Sequence, residues 1–514
     1  MRIGVDVGGT NTDAVLIDGE TVLASHKAPT SANVSDGIIN AITNVLEQSS
    51  VSPDKILSVM VGTTHFTNAF VERKGLLEVA VIRLALPASR GLPPMIDWPE
   101  DIASTIGKQH YLVKGGYEFD GRHISELDEE AIATAAKEIK QKGLKAIAIS
   151  CVFSPVNSAM EERAQEIVLN IIPDAEITIS SRIGRIGLLE RENAAIMNAS
   201  LADLSSKVVE SFRRALTELK ISAPFFISQN DGTLMSADFV EKHPVLTFAS
   251  GPTNSMRGAA YLSELKNALV VDIGGTTTDA GMLINGFPRE SSVSVDIGGV
   301  RTNFRMPDIL ALGLGGGSLV KINGNVSVGP QSVGYQLTEK ARVFGGDELT
   351  ASDIAVAAGY AEMGDASKVV DLDETMLAAA VDAIHQIINV GVDRMKTSAE
   401  AIPVILVGGG AVLVRDKIPG TSEVIVPEHA AVANAIGASI AQVGGEVDKV
   451  FSYDNGGREV VIEGAKEEAR QLAIKAGANP DSIEIIDFEE LPLQYVPGNS
   501  VRLRAKAAGE LILS

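Results

Sequence analysis

Residues 5–14 read VDVGGTNTDA, and residues 271–280 read VDIGGTTTDA, the same phrase with two letters changed. Each copy lies between two apolar strand patterns, so each is predicted to be a hairpin with a Gly-Gly-Thr turn. A Walker A loop or a G-x-G-x-x-G fingerprint would instead open a helix, and neither copy has that context. One such phrase alone could be an ordinary turn, but two copies in matching surroundings favour a shared function.

Both copies contain the residue types of a phosphate-binding turn. Glycines let a phosphate approach the backbone closely, and the neighbouring hydroxyl and amide side chains offer hydrogen-bond donors. Asp6 and Asp272 end their strands, where a carboxylate can hold Mg²⁺ through water or accept a proton. The predicted phosphate-binding residues are Gly8, Gly9, Thr10, Asn11 and Thr12 in the first copy, and Gly274, Gly275, Thr276, Thr277 and Thr278 in the second.

The composition restricts the domain count and the classes of partner. A chain of 514 residues is expected to form two or three domains. A formal net charge of −22 argues against nucleic acid and anionic membranes as partners. No apolar leader opens the chain and no apolar run reaches the ~18 residues that span a bilayer, so a cytoplasmic protein is predicted. The single cysteine, Cys151, is predicted to be a buried small residue.

With two such hairpins, the chain resembles the actin, sugar-kinase and Hsp70-type ATPase superfamily. In that fold two similar domains each open with a phosphate hairpin, and ATP binds between them. The resemblance implies an adenosine-side glycine motif late in the second domain. IPVILVGGGAVLV (402–414), with Gly408, Gly409 and Gly410, fits that motif, and the segment at 430–445 fits the helix that follows it.

More narrowly, the chain resembles the hydantoinase A-type subunit of the ATP-dependent hydantoinase/5-oxoprolinase family, in a short form. The long members carry histidines where this chain has Val61 and Leu310, which leaves the substrate and any metal site built on those histidines open. The stretches that carry the resemblance are VGTTHFTNAFVERKG (61–75), LLERENAAIMNASL (188–201), SGPTNSMRGAA (250–260), PDILALGLGGGSL (307–319) and VPEHAAVANAIGA (426–438).

The resemblance implies ATP-dependent hydrolysis of a cyclic amide of the hydantoin, lactam or 5-oxoproline type. ATP and Mg²⁺ would bind between the hairpins, and phosphorylation of the amide carbonyl would let water add. Asp6 and Asp272 would act in catalysis and hold Mg²⁺ through water. Hydrolysis would involve a separate B-type subunit, and a homodimer is a further expectation. Two alternatives stay open: a small-molecule kinase of the same superfamily, and a nucleotide-dependent switch protein that acts on a partner.

The stretch Gly62-Thr63-Thr64-His65 follows an apolar strand pattern and precedes a helical one. Thr63 or Thr64 is predicted to be the N-cap of that helix. A helix N-terminus at the cleft could bind an anionic oxygen, and His65 would then be a third catalytic candidate as a proton donor. A structural or exposed histidine is the competing interpretation.

Two further segments have both a functional and a structural interpretation. GLGGGS (313–318) either closes against the nucleotide through Gly315 and Gly316 or is a plain loop. Glu190 and Arg191 lie in a helical pattern, where adjacent residues do not face each other. That pair is either exposed and solvated or directed into the cleft.

The predicted fold class is α/β, with two actin-like (RNase H-like) ATPase domains, a cleft between them and a small C-terminal α+β module. The N-terminal domain is assigned to residues 1–185, with an insertion at about 76–185. The C-terminal domain, with the second hairpin and the adenosine motif, is assigned to residues 186–450. Residues 451–514 form the module, whose sequence from residue 456 reads strand, helix, strand, strand and suggests a docking surface for a partner or a second protomer.

Overall fold

The structure, a computed structural model, is a mixed α/β fold with two similar sheets. It describes residues 1–8, 11–29, 34–291, 293–323, 325–415, 417–440, 442–454, 456–494 and 499–513. Its strands are β1 (Arg2–Val7), β2 (Asn11–Asp18), β3 (Thr21–Pro29), β4 (Ser58–Thr63), β5 (Val79–Leu86), β6 (Gln109–Lys114), β7 (Ala146–Cys151), β8 (Glu176–Ile179), β9 (Phe225–Ser228), β10 (Leu234–Ser236), β11 (Ala268–Ile273), β12 (Thr278–Ile284), β13 (Phe287–Pro288), β14 (Val295–Ile297), β15 (Val300–Thr302), β16 (Ile309–Leu312), β17 (Ser318–Asn323), β18 (Asn325–Ser332), β19 (Ile402–Val407), β20 (Thr421–Ile425), β21 (Gln442–Ser452), β22 (Glu484–Pro492) and β23 (Ser500–Glu510).

Helices cover both sheets and fill the space between them. They are α1 (Val34–Ser49), α2 (His65–Val71), α3 (Glu100–Ile106), α4 (Glu129–Gln141), α5 (Ala159–Ile171), α6 (Leu188–Ser200), α7 (Ala202–Glu218), α8 (Ala237–Lys242), α9 (Ser250–Ser263), α10 (Leu337–Lys340), α11 (Ala351–Ala357), α12 (Glu374–Met395), α13 (Ala433–Ala438) and α14 (Arg458–Lys475).

The two repeated phrases form equivalent hairpins in two different sheets. In the first sheet, ordered β10-β9-β4-β1-β2-β3, β1 is antiparallel to β2 and parallel to β4. In the second, ordered β13-β12-β11-β19-β20, β11 is antiparallel to β12 and parallel to β19. The central strands are apolar and buried on both faces, as parallel pairing covered by helices requires. The predicted strand, turn and strand of each copy are therefore confirmed.

Helices α9 and α13 lie between the two sheets and touch backbone to backbone. A Cβ on Gly258 would lie 1.8 Å from the Ala433 carbonyl oxygen, and one on Gly437 would lie 1.8 Å from the Asn254 carbonyl oxygen. On β1, a Cβ on Gly4 would lie 2.1 Å from the Ala435 oxygen. Only glycine permits these approaches, because it has no Cβ. Gly437 therefore lies at a point of close helix packing.

The segment between β4 and α6 forms a separate parallel sheet, ordered β6-β5-β7-β8. The amphipathic pattern after residue 127 and the apolar run after residue 143 are α4 and β7, as the sequence predicts. Asp128 caps α4 by accepting a hydrogen bond from the Ala131 amide at 3.0 Å. Cys151 is buried at the end of β7, also as predicted.

The C-terminal module consists of α14 and the sheet β21-β23-β22. The strand expected just after residue 456 is wrong, because α14 occupies 458–475 and the first strand of the module is β21. The β-branched run from Val460 to Ile462 favours a strand locally. Val461 and Ile462 nevertheless share a buried helical stripe with Ala465 and Ala469, and that stripe packs against the sheet.

Buried ion pairs connect this module to both halves of the protein. Lys506 on β23 lies 3.2 Å from Asp231 of the first half and 3.1 Å from Glu290 after the second hairpin. Arg305 lies 2.6 Å from Glu446 on β21 and 3.1 Å from Asp231. Burial alone would raise the pKa of Asp231, but the charges of Lys506 and Arg305 lower it. Each of these carboxylates therefore has a cationic partner.

Helix α12 is long and apolar enough to cross a membrane by length and composition, and it is the one such helix in the described part of the chain. Ala380, Ile384 and Ile388 form its buried stripe and pack in the core of the second sheet, while Asp382 and Asp393 are exposed. This distribution is that of an amphipathic helix on a protein core.

The first sheet includes two strands that lie beyond the predicted domain boundary in the sequence. β9 and β10, at residues 225–236, extend the first sheet beyond β4. The predicted boundary assigns these residues to the second domain. The pairing of β9 with β4 joins segments more than 160 residues apart, which local sequence patterns do not reveal. The boundary between residues 185 and 186 stays a prediction.

We expect Gly437→Ala to lower the free energy of unfolding by more than about 2 kcal/mol, because the new methyl group would collide with the α9 backbone. The matched control is Gly464→Ala on α14, where a Cβ meets no atom within 4 Å. That substitution should raise stability by up to about 1 kcal/mol. Denaturant unfolding of both variants measures the difference. Equal stabilities would contradict the close contact between α9 and α13.

Candidate functional site

A cleft of about 420 Å³ lies between the two hairpins. Asp6 and Gly8 of the first hairpin and Asp272 and Gly274 of the second line its opposite walls. The volume falls in the range of about 300–1,000 Å³ that is typical of small-molecule sites. The two copies of the repeated phrase therefore face one common space.

In each hairpin the strand register sets two aspartates side by side. Asp6 on β1 pairs with Asp13 on β2, and Asp272 on β11 pairs with Asp279 on β12. Directly paired residues lie on the same face of a sheet, and all four carboxylates line the cleft. Like charges in such pairs destabilise a sheet. Their occurrence in both hairpins therefore indicates a functional requirement for negative charge.

Asp6 is held by side chains from the two helices between the sheets. Asn254 of α9 donates a hydrogen bond to its Oδ1 at 3.3 Å, and Asn434 of α13 donates to its Oδ2 at 3.0 Å. Burial, together with the charge of Asp13, raises the pKa of Asp6 to about 6. A Cβ at position 62 would lie 2.3 Å from Asp6 Oδ1, which explains the glycine of the Gly62-Thr63-Thr64 stretch.

The aspartates of the second hairpin have fewer hydrogen-bond donors and cations around them than those of the first. Burial raises the pKa of Asp272, against the lowering effects of a Ser255 hydrogen bond and the charge of Lys27. Burial and the neighbouring charge of Asp272 raise the pKa of Asp279 to about 7. Within the described residues, no hydrogen-bond donor contacts the Asp279 carboxylate. Asp279 can therefore gain or lose a proton near neutral pH.

Lys27 on β3 lies opposite Asp13, the second aspartate of the first hairpin. Its Nζ is 2.7 Å from both Asp13 carboxylate oxygens. Asn434 Nδ2 also donates to Asp13 Oδ2, at 2.8 Å. The first hairpin thus has a cation and a shared amide donor at its carboxylate pair.

Most of the residues predicted from the glycine-rich segments meet at this cleft. A Cβ added to Gly275 or Gly409 would meet no atom within 4 Å, so these backbones face open space where a ligand can approach. Gly9 and Thr10 lie outside the described residues. The predicted residues that line the cleft are Asp6, Gly8, Asn11, Asp272, Gly274, Gly275, Thr276, Thr277, Gly316, Gly408, Gly409 and Gly410.

Three predicted nucleotide contacts lie away from the lining of the cleft. Thr12 and Thr278 are buried on their strands, and the Thr278 hydroxyl donates to the Leu314 carbonyl oxygen at 2.7 Å. Gly315 packs against the second turn, since a Cβ there would lie 2.5 Å from the Thr276 nitrogen. The Gly313–Ser318 segment supports the second hairpin through backbone bonds from Gly316 and Gly317.

His65 is the first residue of α2 and is not among the residues that line the cleft. Thr64 is the N-cap residue, while the Thr63 hydroxyl accepts a hydrogen bond from the His65 amide at 3.2 Å. Burial lowers the pKa of His65, which favours the neutral imidazole. These contacts support the structural interpretation of this histidine.

Arg191 was considered as part of an exposed pair or as a cleft residue, and the structure places it in neither setting. Its side chain is fully buried, and its guanidinium donates to the carbonyl oxygens of Arg185, Gly187 and Cys151 at 3.0, 3.0 and 2.5 Å. The exposed alternative is therefore wrong for Arg191. Its role is to hold the turn before α6.

Sequence reasoning missed four polar residues of the site. Asp13 and Asp279 occupy the same place in the two repeated phrases, seven residues after the first aspartate, and that symmetry could have revealed them. Lys27 and Asn434 have no such local signal. They reach the site through the β2–β3 register and the position of α13, respectively.

Comparisons with known proteins cover most of the chain. The family description "Hydantoinase/oxoprolinase N-terminal region" matches residues 2–172, and "Hydantoinase/oxoprolinase" matches residues 191–402. The caprolactamase subunit alpha of Pseudomonas jessenii is 27% identical over 412 residues, 75% of this chain and 58% of that subunit. The acetophenone carboxylase gamma subunit of Aromatoleum aromaticum is 28% identical over 395 residues, 70% of this chain and 53% of that subunit. The chain thus spans little more than half the length of these relatives.

Among solved structures, the ATP-dependent caprolactamase from Pseudomonas jessenii matches with a TM-score of 0.78 and 20% identity. The match covers 99% of this chain and 87% of that chain. At this identity the likeness concerns the fold. Together with the two equivalent sheets, it confirms the predicted class of two actin-like domains, a cleft and a small α+β module.

We expect Asp279→Asn to raise the free energy of unfolding by at least about 1 kcal/mol at pH 8, and to have little effect near pH 4. Because the pKa of Asp279 is raised to about 7 in the folded state, the wild type loses stability as pH rises from about 4 to 7. Denaturant unfolding at several pH values measures the difference. Asp13→Asn is the matched control and should not gain stability, because it removes the ion-pair partner of Lys27. A pH-independent effect of Asp279→Asn would contradict the assignment.

Proposed function

The chain belongs to the hydantoinase/oxoprolinase family, and we propose that it is the nucleotide-binding component of an enzyme that uses ATP to open a cyclic amide. The observation that carries this proposal is the pair of aspartates that each hairpin presents to one cleft. Four carboxylates and one lysine line the cleft among the described residues, so a phosphate ligand would need a cation beside it. A divalent cation bound together with a triphosphate would supply that positive charge, and the glycine turns of the hairpins would bind the phosphates.

The shape of the cleft supports a defined orientation of the nucleotide. The phosphates would lie between the turns at Gly8 and Gly274, where close approach to the backbone is possible. The adenosine would lie toward Gly409 and the apolar side chains of Val412 and Leu413, which line the same cleft. Apolar walls with a few polar groups are typical of such sites.

The donors around the cleft fit Mg²⁺ held largely through water. Mg²⁺ retains several waters and is commonly bound by one or two carboxylates and by phosphate oxygens. Within the described residues, no three side chains of His, Cys, Asp or Glu form a ready metal site. The proposal therefore gives Asp6 and Asp272 a water-mediated role. When bound, Mg²⁺ would neutralise charge on the phosphates and favour transfer of the terminal phosphoryl group.

The proposed reaction activates an amide whose nitrogen is a poor leaving group. The amide carbonyl oxygen attacks the terminal phosphorus of ATP, and the bond from that phosphorus to the ADP oxygen breaks. Water then adds to the carbon of the phosphorylated imidate, and the carbon–nitrogen bond breaks as the nitrogen takes up a proton. A second water converts the resulting acyl phosphate into carboxylate and phosphate. The cleft residues would act by positioning and by electrostatic stabilisation.

The hydrolytic steps are proposed to involve a separate subunit. Two relatives are named as the alpha and gamma subunits of their enzymes, which supports a multi-subunit arrangement. The caprolactamase acts on a lactam by its name, and this supports a cyclic amide as the substrate class. The identity of the amide is the part of the proposal that the experiment below determines.

We expect the purified chain with Mg²⁺ to hydrolyse ATP faster when caprolactam, hydantoin or 5-oxoproline is present, or when one of them is combined with a B-type subunit. Asp6→Asn and Asp272→Asn should each lower this turnover by about tenfold or more, because each removes a carboxylate that would hold Mg²⁺ at the phosphates. Phosphate release measures the rate. Asp382→Asn on the exposed side of α12 is the matched control and should retain wild-type turnover.

Two results would replace the proposed reaction. A stable phosphorylated product, formed by the chain alone, would identify a small-molecule kinase. Turnover that rises with a protein partner but yields no small-molecule product would identify a switch protein. Full turnover in both Asp6→Asn and Asp272→Asn would contradict the assignment of the cleft.

A further inference from the structure

The two hairpins are alike in their aspartates but differ on the next strand. Across the first sheet, the same register row runs from Asp6 to Asp13 and then to Lys27 on β3. Across the second, the row runs from Asp272 to Asp279 and then to Ala311 on β16. A cation therefore stands beside one carboxylate pair and an apolar methyl group beside the other. This difference makes the two walls of the cleft chemically unequal.

Lys27 is the one cationic side chain among the described residues that line the cleft. Its side chain is 40% exposed, whereas that of its partner Asp13 is 3% exposed. The ammonium group therefore lies next to the buried Asp13 carboxylate and borders the open space of the cleft. Its charge also acts on Asp272 across the cleft. A ligand entering between the hairpins would meet this group.

Asp13 does not depend on Lys27 alone for a hydrogen-bond donor. Asn434 Nδ2 donates to Asp13 Oδ2 at 2.8 Å, and it also holds Asp6 at 3.0 Å. If Lys27 turned away, the buried carboxylate would keep this amide donor. The ion pair can therefore open while Asp13 Oδ2 keeps a hydrogen bond, which lowers the cost of breaking a buried pair.

We propose that Lys27 binds the terminal phosphate of the nucleotide, and that its ion pair with Asp13 opens when it does so. The inference rests on the proposed function, since it needs a triphosphate between the hairpins. An ammonium group offers three donors on a flexible stem, which suits a phosphate that must leave. No covalent bond to Lys27 forms or breaks. It neutralises charge on the phosphoryl oxygens while the bond to ADP breaks.

The test is isothermal titration of the full chain with Mg²⁺ and either AMPPNP or ADP. We expect Lys27→Met to weaken AMPPNP binding by about tenfold or more and ADP binding by less than about threefold, because only AMPPNP carries the terminal phosphate. Lys27→Arg retains a cation and should keep AMPPNP affinity within about threefold of wild type. Thermal unfolding of each variant verifies that the fold is intact.

The matched control is Lys207→Met, which removes a surface lysine paired with Asp203 at 2.6 Å and should leave both affinities unchanged. Equal weakening of AMPPNP and ADP by Lys27→Met, or no weakening of either, would overturn the role of Lys27. Loss of AMPPNP affinity in Lys27→Arg as large as in Lys27→Met would do the same. If the wild-type chain binds neither nucleotide, the proposed function itself fails, and this result is distinct from a failure of the Lys27 assignment.

Discussion

The contact between α9 and α13 is the constraint on which the rest of the structure depends. Gly258 and Gly437 bring the two helices together backbone to backbone, and Gly4 lets β1 approach α13 in the same way. Because no side chain separates these elements, both helices fit between the two sheets. The same helices carry Asn254 and Asn434, whose amides hold the Asp6 carboxylate. The packing that joins the two halves of the protein therefore also fixes the orientation of the Asp6 carboxylate.

Buried carboxylates occur in two different electrostatic environments in this protein. At the C-terminal module, Asp231 faces Lys506 and Arg305, and these cations lower its pKa although burial alone would raise it. In the cleft, Asp279 has no such partner among the described residues, and burial raises its pKa to about 7. Burying carboxylates without cations is costly, and natural folds retain such a cost mainly where a ligand compensates it. The contrast distinguishes the cleft, as a candidate site of chemistry, from the structural ion pairs of the module.

The two hairpins have the same strand pairing, but the groups around their aspartates differ in charge. Both present two aspartates in register, but Lys27 and Asn434 make hydrogen bonds only to the first pair. In the proposed function, only the wall with Lys27 would offer a cationic side chain to the phosphates. Asp279, which no hydrogen-bond donor contacts among the described residues, can exchange a proton near neutral pH.

The sequence by itself determined the two hairpins and their glycine turns, because turn chemistry and strand patterns are local, and the fold class followed from the family resemblance that the repeated phrase carries. It also located Asp6, Asp272 and the Gly408–Gly410 segment, which all line the cleft. Only the tertiary structure brought Lys27 and Asn434 to Asp13, since these contacts depend on strand register and on helix packing between residues up to 421 positions apart. The burial of Arg191 and the addition of β9 and β10 to the first sheet are likewise long-range outcomes. Local propensity carries no information on which distant surface a segment will cover.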